Sequence, residues 1–310
     1  MSETRQTTDH ILMIRPANFG FNPETADSNA FQSKDNQLSG DLIQKMAEEE
    51  FDLFVETLRD AGVKITVVED SKDPLKPDAV FPNNWVTFHE DGRVATYPML
   101  SKMRRLERRE EIIENLANEY KVTDRIHFEA GEEQGKILEG TGSLILDRPN
   151  KIAYACLSPR TDEKLLDEFC QKMGYEKVAF HSVDQNGQEI YHTNVMMALG
   201  ETFVVICLDS VKSKEERSKL EGIFEKTGKE IIEISFDQMM DYAGNMLQVQ
   251  SEDGIPILVM SEQAFESLTE DQIDTITAHT NILYSPLYTI EKFGGGSARC
   301  MMAEVFLQKK

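Results

Sequence analysis

Five stretches of the 310-residue chain repeat one order of signals: a short polar or glycine-rich apex, a strand, a tight turn, a second strand, an amphipathic helix and a third strand. The apices are PDAVFPNNW, KILEGTGSL, IYHTNVMM, YAGNMLQV and GGGSARCMM. One polar residue from each, Asn84, Glu139, His192, Asn245 and Cys300, gives intervals of 55, 53, 53 and 55 residues. A period of that length marks stacked supersecondary units that cannot bury their apolar faces alone. Hairpin signals follow the first four apices, in WVTFHEDGRVATYPM, SLILDRPNKIAYACL, VMMALGETFVVICL and MLQVQSEDGIPILVM. An open array of repeats needs polar caps at its ends, and none is visible, so the five units are expected to close into a ring. The C-terminal MMAEVFLQ and the N-terminal ILMIRP are expected to share the closing unit. The expectation is an α/β fold, a five-bladed pseudo-symmetric propeller of ββαβ-type repeats, with residues 1–310 forming one domain.

Helical patterns occur in DLIQKMAEEEFDLFVETLRDAG, RRLERREEIIENLANEY, TDEKLLDEFCQKMGY, SKEERSKLEGIFEKTG and TEDQIDTITAHT. Thr161 and Ser213 stand at N-cap positions, and Gly62, Gly174 and Gly228 stand where helices end on a left-handed residue. The net charge of −22 argues against a phosphate backbone or an anionic membrane as partner. The opening MSETRQTTDH lacks the basic and apolar regions of a signal peptide, and no apolar run approaches about 18 residues. A cytoplasmic protein with no membrane span is expected.

The apex residues carry the chemistry. Cys300, His192 and Glu139 supply the thiol, imidazole and carboxylate that thiol catalysis requires, and a closed ring brings its apices together near the axis. Asn84 and Asn245 read first as turn residues, because Asn favours turns. Cys156, Cys170 and Cys207 lie in apolar runs and read as small buried hydrophobes, whereas Cys300 follows GGGSAR, where Arg299 can stabilise a thiolate.

The C-terminal GGGSARC, LEGTGSL, HTN at His192 to Asn194, and PDAVFPNNW together resemble the pentein superfamily that modifies guanidino groups: arginine deiminases, dimethylarginine hydrolases and glycine amidinotransferases. With RPANFGFNPETA added, the likeness is to the amidinotransferase-related branch associated with citrulline use. The resemblance implies a five-bladed pentein fold, Cys300 as nucleophile, His192 as general acid and base, and Glu139 as the carboxylate that orients the imidazole or holds substrate nitrogens. It implies a small amino acid substrate and no cofactor or metal. Asn84 and Asn194 stand where arginine-processing members often carry Asp. A buried guanidinium needs fixed negative charge, whereas a neutral ureido oxygen accepts a hydrogen bond that Asn can donate. Citrulline, cleaved to ornithine through a covalent thioester-type intermediate, is therefore the expected substrate. Arginine or methylarginine hydrolysis and amidine transfer are the alternatives, and a non-catalytic binding module of the same fold is a third.

An amino acid substrate needs its α-carboxylate held. Arg299 and Arg15 are the expected binding residues alongside Asn84 and Asn194, with Arg148 and Arg160 as further candidates. Phe19 and Asn22 lie in an extended segment that reads as a lid or an ordered surface loop, and Trp85 reads as core. No HExxH is present, and His10, His89, His127, His181 and His279 lack ligand spacing and read as surface or satisfied polar groups. The basic run Lys102 to Arg109 reads as a solvated helix face. No nucleic acid or membrane partner is expected, and a homo-oligomer is left open because pseudo-symmetric repeats close without one.

Overall fold

Apolar alternation, a two-strand hairpin and a crossover helix are assembled five times in the computed structural model, which describes residues 4–25, 29, 31–32 and 38–310. The first sheet holds β1 (His10–Arg15) and β2 (Lys64–Glu69), joined by helix α1 (Gly40–Asp60). The second holds β3 (Val86–Phe88), β4 (Arg93–Thr96) and, after α2 (Glu110–Glu119), β5 (Asp124–His127). The third holds β6 (Ile145–Asp147), β7 (Ile152–Cys156) and, after α3 (Glu163–Met173), β8 (Glu176–Phe180). In the fourth, β9 (Met197–Leu199) and β10 (Phe203–Ile206) are followed by α4 (Lys214–Lys226) and β11 (Glu230–Glu233). In the fifth, β12 (Leu247–Gln250) and β13 (Pro256–Ser261) are followed by α5 (Glu270–His279) and β14 (Asn281–Ser285). A further helix, α6 (Tyr288–Gly294), leads through the glycine run to β15 (Ala303–Glu304).

In the second to fifth units the first two strands pair antiparallel and the last two pair parallel across the helix. The first sheet obtains its antiparallel strand from the other end of the chain: β15 pairs with β1 in the register Ile11 to Glu304. The fifth sheet returns to the first where Gln250 N donates to the Thr8 carbonyl at 3.1 Å. The unit expected to be shared by ILMIRP and MMAEVFLQ is thus present.

Helix α1 shows why the helices lie outside the sheets. Ile43, Ala47, Phe51, Phe54, Val55 and Leu58 recur at helical spacing and are buried, while Asp41, Glu49, Asp52, Glu56 and Asp60 face water. Burying each large apolar side chain of this stripe contributes about 1.5–3 kcal/mol. Ser39, Ser213 and Thr269 cap their helices with side-chain oxygens. The cap of α3 is Asp162, not Thr161, because the Asp162 carboxylate reaches both Lys164 N and Leu165 N. Trp85 is buried in the core, as expected. No helix among the described residues is long and apolar enough to cross a membrane.

Two of the histidines read as surface or satisfied polar groups are buried, His10 bonded to Thr66 and His89 to Thr87. Burial, helped by Lys64 and Lys309, lowers the His10 pKa to about 4, and burial followed by the Arg148 charge pushes His89 well below the ordinary value. Unfolded, both titrate near 6.5, so the unfolded chain binds more protons between about pH 6.5 and 4. The stabilisation is complete above pH 6.5 and is lost as pH falls towards 4. Each group should contribute about 1.4 kcal/mol per pH unit to that slope. Urea unfolding at pH 6.5, 5.5 and 4.5 should show a falling free energy, and His89→Gln should make the slope shallower by about one proton.

Candidate active site

Each unit places its apex residue in, or directly beside, a tight turn just before its first strand. Asn84 ends the turn Pro82–Asn84 before β3, and Glu139 precedes the turn Gly140–Ser143 before β6. His192 precedes the turn Thr193–Met196 before β9, and Cys300 lies in the turn Ala298–Met301 before β15. Asn245 precedes β12. The repeated device explains why residues more than 200 positions apart in sequence become neighbours. All five are buried.

Glu139 and His192 form the firmest contact: His192 Nε2 lies 2.7 Å from Glu139 Oε2. Leu100 N donates to the other carboxylate oxygen, and Arg160 Nη1 is 3.6 Å from Oε2. Burial works to raise the Glu139 pKa, but the Arg160 charge and the His192 bond outweigh it and hold the carboxyl well below its usual range. Burial lowers His192 to about 4, with the Glu139 bond offsetting only part of the effect. At neutral pH the site therefore holds an anionic carboxylate and a neutral imidazole. Facing a carboxylate, Nε2 carries the ring proton, which leaves the Nδ1 lone pair for proton transfer.

The Cys300 sulfur accepts from two amide groups, Asn194 Nδ2 and Asn245 Nδ2, each at 3.3 Å. Asn245 Oδ1 in turn accepts from Arg299 N at 3.1 Å, so its amide is fixed with the nitrogen towards sulfur. Gly295, at φ +64, makes the left-handed turn that ends α6 and begins the descent to Cys300.

Cys300, His192 and Asn84 line one narrow cavity with Asp78, Arg104 and Arg160. Arg104 is buried; its guanidinium grips Glu107 through Nε and Nη2, and Nη1 donates to Asn84 Oδ1 at 2.9 Å. Asp78 is also buried, 3.7 Å from Arg104, and accepts from Asn22 Nδ2 at 2.7 Å. Arg160 lies over the Tyr191 ring at 4.7 Å.

Of the arginines expected at the substrate, only Arg160 lies in this cavity. Arg15 sits on the outer face, gripped by Asp52 with Glu48 and Glu69 nearby, because its position at the end of β1 faces acidic α1 residues. Arg299 turns away from the sulfur: Nη1 donates to the Met302 carbonyl and Nη2 pairs with Glu304 at 2.8 Å. Arg148 shares Glu304 at 3.5 Å. The run Lys102 to Arg109 is not one solvated face, since Arg104 points inward and the helix proper begins at Glu110. Arg104 and Glu107 stand three apart in the sequence, and that spacing alone does not separate a buried pair from an exposed one. Asn245 is more than a turn residue, and its place in the 53–55-residue period was the signal for it. Asn22 is held on Asp78 and Phe19 is packed in the core, as in an ordered segment.

Gly142 lies where Asn84 and His192 meet. A Cβ there would overlap Asn84 Nδ2 and lie 2.8 Å from His192 Cε1 and Nδ1. Gly142→Ala should lower kcat/KM about 10²-fold, the usual cost of displacing reacting groups by an ångström. Steady-state kinetics beside a thermal melt check this, with the melt expected to move far less than the rate.

The chain matches the family described as N,N dimethylarginine dimethylhydrolase, eukaryotic, over residues 15–307. No curated protein matches it. Among solved structures it is similar to the substrate-bound N-terminal domain of ArgZ, an arginine dihydrolase from the ornithine-ammonia cycle in cyanobacteria. That pair is 18% identical at TM-score 0.72, covering 96% of this chain and 97% of the other. AgrE in complex with L-arginine is also 18% identical, at TM-score 0.72, over 96% of this chain and 40% of that longer one. A dimethylarginine dimethylaminohydrolase adduct with S-methyl-L-thiocitrulline is 16% identical at TM-score 0.65, over 96% and 99%. At these identities the solved structures establish the shared α/β fold. The family match spans nearly the whole chain, which therefore belongs to the N,N dimethylarginine dimethylhydrolase family of C–N hydrolases acting on guanidino-type groups.

Proposed function

We propose that the chain cleaves the ureido group of citrulline, releasing ornithine. The observation that carries this reading is the orientation of Asn84. Arg104 has only donors to offer, so the atom facing it at 2.9 Å is the Asn84 oxygen. The amide nitrogen is thereby turned the other way, over Gly142 beside the His192 ring, and has no partner among the described residues. A buried N–H without an acceptor costs about 1–3 kcal/mol, which a substrate oxygen at that point removes. A ureido carbonyl supplies the oxygen; a guanidinium carries only donors.

In this reading the Cys300 sulfur attacks the ureido carbon while His192 Nδ1 receives the thiol proton and passes it to the departing ornithine nitrogen. A carbamoyl thioester remains. His192 then takes a proton from water, the resulting hydroxide attacks the thioester carbon, and the thiol leaves with that proton restored. The released carbamate breaks down to ammonia and carbon dioxide. Arg160 holds the α-carboxylate, and Asp78, whose Oδ1 has no hydrogen-bond partner, receives the α-ammonium.

A second reading, hydrolysis of arginine, is favoured by the same free oxygen of Asp78, which is equally an acceptor for guanidinium N–H groups. A substrate panel separates the two. Citrulline, arginine, methylated arginines and agmatine are incubated with the protein, and ornithine, citrulline and ammonia are quantified by mass spectrometry. Ornithine from citrulline, with no turnover of the guanidino compounds, is the expected result. Faster consumption of arginine would establish the second reading instead.

A further inference from the structure

At the end of the strands away from the apices lies a cavity of about 200 Å³, bounded by the β3–β4 turn, the β6–β7 turn and the C-terminal segment. Its charged lining is Arg5, Arg93, Arg148 and Lys151 against Glu90 and Asp91. This excess of cations is notable in a chain whose net charge is −22. Arg93 is neutralised by Asp91 at 2.6 Å. Among the described residues, neither Lys151 nor Arg5 has a carboxylate within ion-pair distance.

The position of Arg148 is more demanding. It is buried, and its one carboxylate partner among the described residues, Glu304 at 3.5 Å, is shared with Arg299 at 2.8 Å. Two buried guanidiniums thus divide a single carboxylate, leaving one positive charge in excess beside the cavity. Buried charge without a counter-charge is costly, and an anion seated beside Arg148 removes that cost. Burial lowers the pKa of both His89 and Lys151; the Arg148 and Arg93 charges add to the effect, and Asp91 opposes it.

The cations are held in place before any ligand arrives. The Arg148 guanidinium lies over the Phe306 ring at 3.9 Å, and Gln6 fixes its backbone, accepting from Arg148 N while donating to the Leu146 carbonyl. Lys151 lies over Tyr175 at 5.1 Å from a backbone at φ +55, a conformation in which a non-glycine residue is strained. The volume is below the roughly 300–1,000 Å³ of sites for drug-sized ligands, which selects a small molecule.

We propose that this cavity binds a small multiply charged oxyanion, of the phosphate or polycarboxylate class, at a site separate from the active cavity. Isothermal titration of the full chain with inorganic phosphate and, separately, with citrate tests the proposal and distinguishes the two classes. One saturable site is expected for at least one anion. Lys151→Gly removes the charge while suiting the backbone angle, and Arg5→Ala alters an exposed side chain. Each should weaken binding about tenfold or more, the worth of one charge-assisted hydrogen bond. Arg160→Ala, which empties the active cavity of one guanidinium, should leave the affinity unchanged. Absence of saturable binding by both anions, indifference to Lys151→Gly and Arg5→Ala, or loss of binding in Arg160→Ala would each overturn it.

Discussion

Replacing Cys300 by alanine should reduce turnover of citrulline by on the order of 10⁴-fold or more, while the variant still binds the substrate. The size of the effect follows from the proposed covalent course: without the sulfur, water would have to attack the ureido carbon directly, and the two easier steps would revert to one difficult one. The remaining groups touch the substrate elsewhere, so affinity should persist. The two amides that donate to sulfur, Asn194 and Asn245, stabilise negative charge there, and removing one of them should cost far less than removing the sulfur itself. Rapid quenching of the wild type with citrulline, followed by intact mass measurement, should reveal one carbamoyl group on the protein and none on the alanine variant. Residual activity within tenfold of wild type, with the melting temperature unchanged, would remove Cys300 from the role of nucleophile.

Much of this arrangement was legible before any coordinates. The 53–55-residue intervals located all five apices because the fold reuses one device, a tight turn ahead of a strand, at each of them. Pairing between the two chain ends could be read from ILMIRP and MMAEVFLQ, since ILMIRP supplies an early strand and no hairpin follows the fifth apex. The candidate reacting groups were chosen for their chemistry, a thiol, an imidazole and a carboxylate standing at three of the five apices.

The arginines were not legible, for a physical reason. A guanidinium on a long, flexible side chain reaches several ångströms from its backbone, so sequence position says little about where its charge ends. Arg299 adjoins Cys300 in sequence, yet its side chain runs the other way to Glu304. Arg104 lies in a run of bases that would suit a solvated helix face, yet its side chain is buried against Glu107, Asp78 and Asn84. Burial of a charge depends on partners supplied by other segments, here Asp78 at 26 positions and Asn84 at 20 positions before Arg104 in the chain. A pattern within one helix carries no trace of them.

Those same partners make Asn84→Asp the substitution that most directly changes what the site prefers. Either carboxylate oxygen can accept from Arg104, so the side chain should keep its place and the fold its stability. The oxygen that replaces Nδ2 over Gly142 then offers an acceptor where the wild type offers a donor. A ureido oxygen brought to that point meets a like partial charge and loses its hydrogen bond, while a guanidinium N–H gains one. Sites built to hydrogen-bond a particular substrate group discriminate by about 10⁴–10⁵ against an analogue lacking it, and a shift of about 10³-fold in the citrulline to arginine ratio of kcat/KM is a moderate share of that range. The added carboxylate also lies beside the His192 ring and should raise its pKa from about 4, favouring the protonated imidazole at higher pH. The acid limb of the pH–rate profile should therefore move upward in the variant, and the ratio of the two substrates should fall together with it. If kcat/KM for both substrates declined in parallel, leaving the ratio unmoved, Asn84 would be a structural support of the cavity and the ureido reading would lose the observation that carries it.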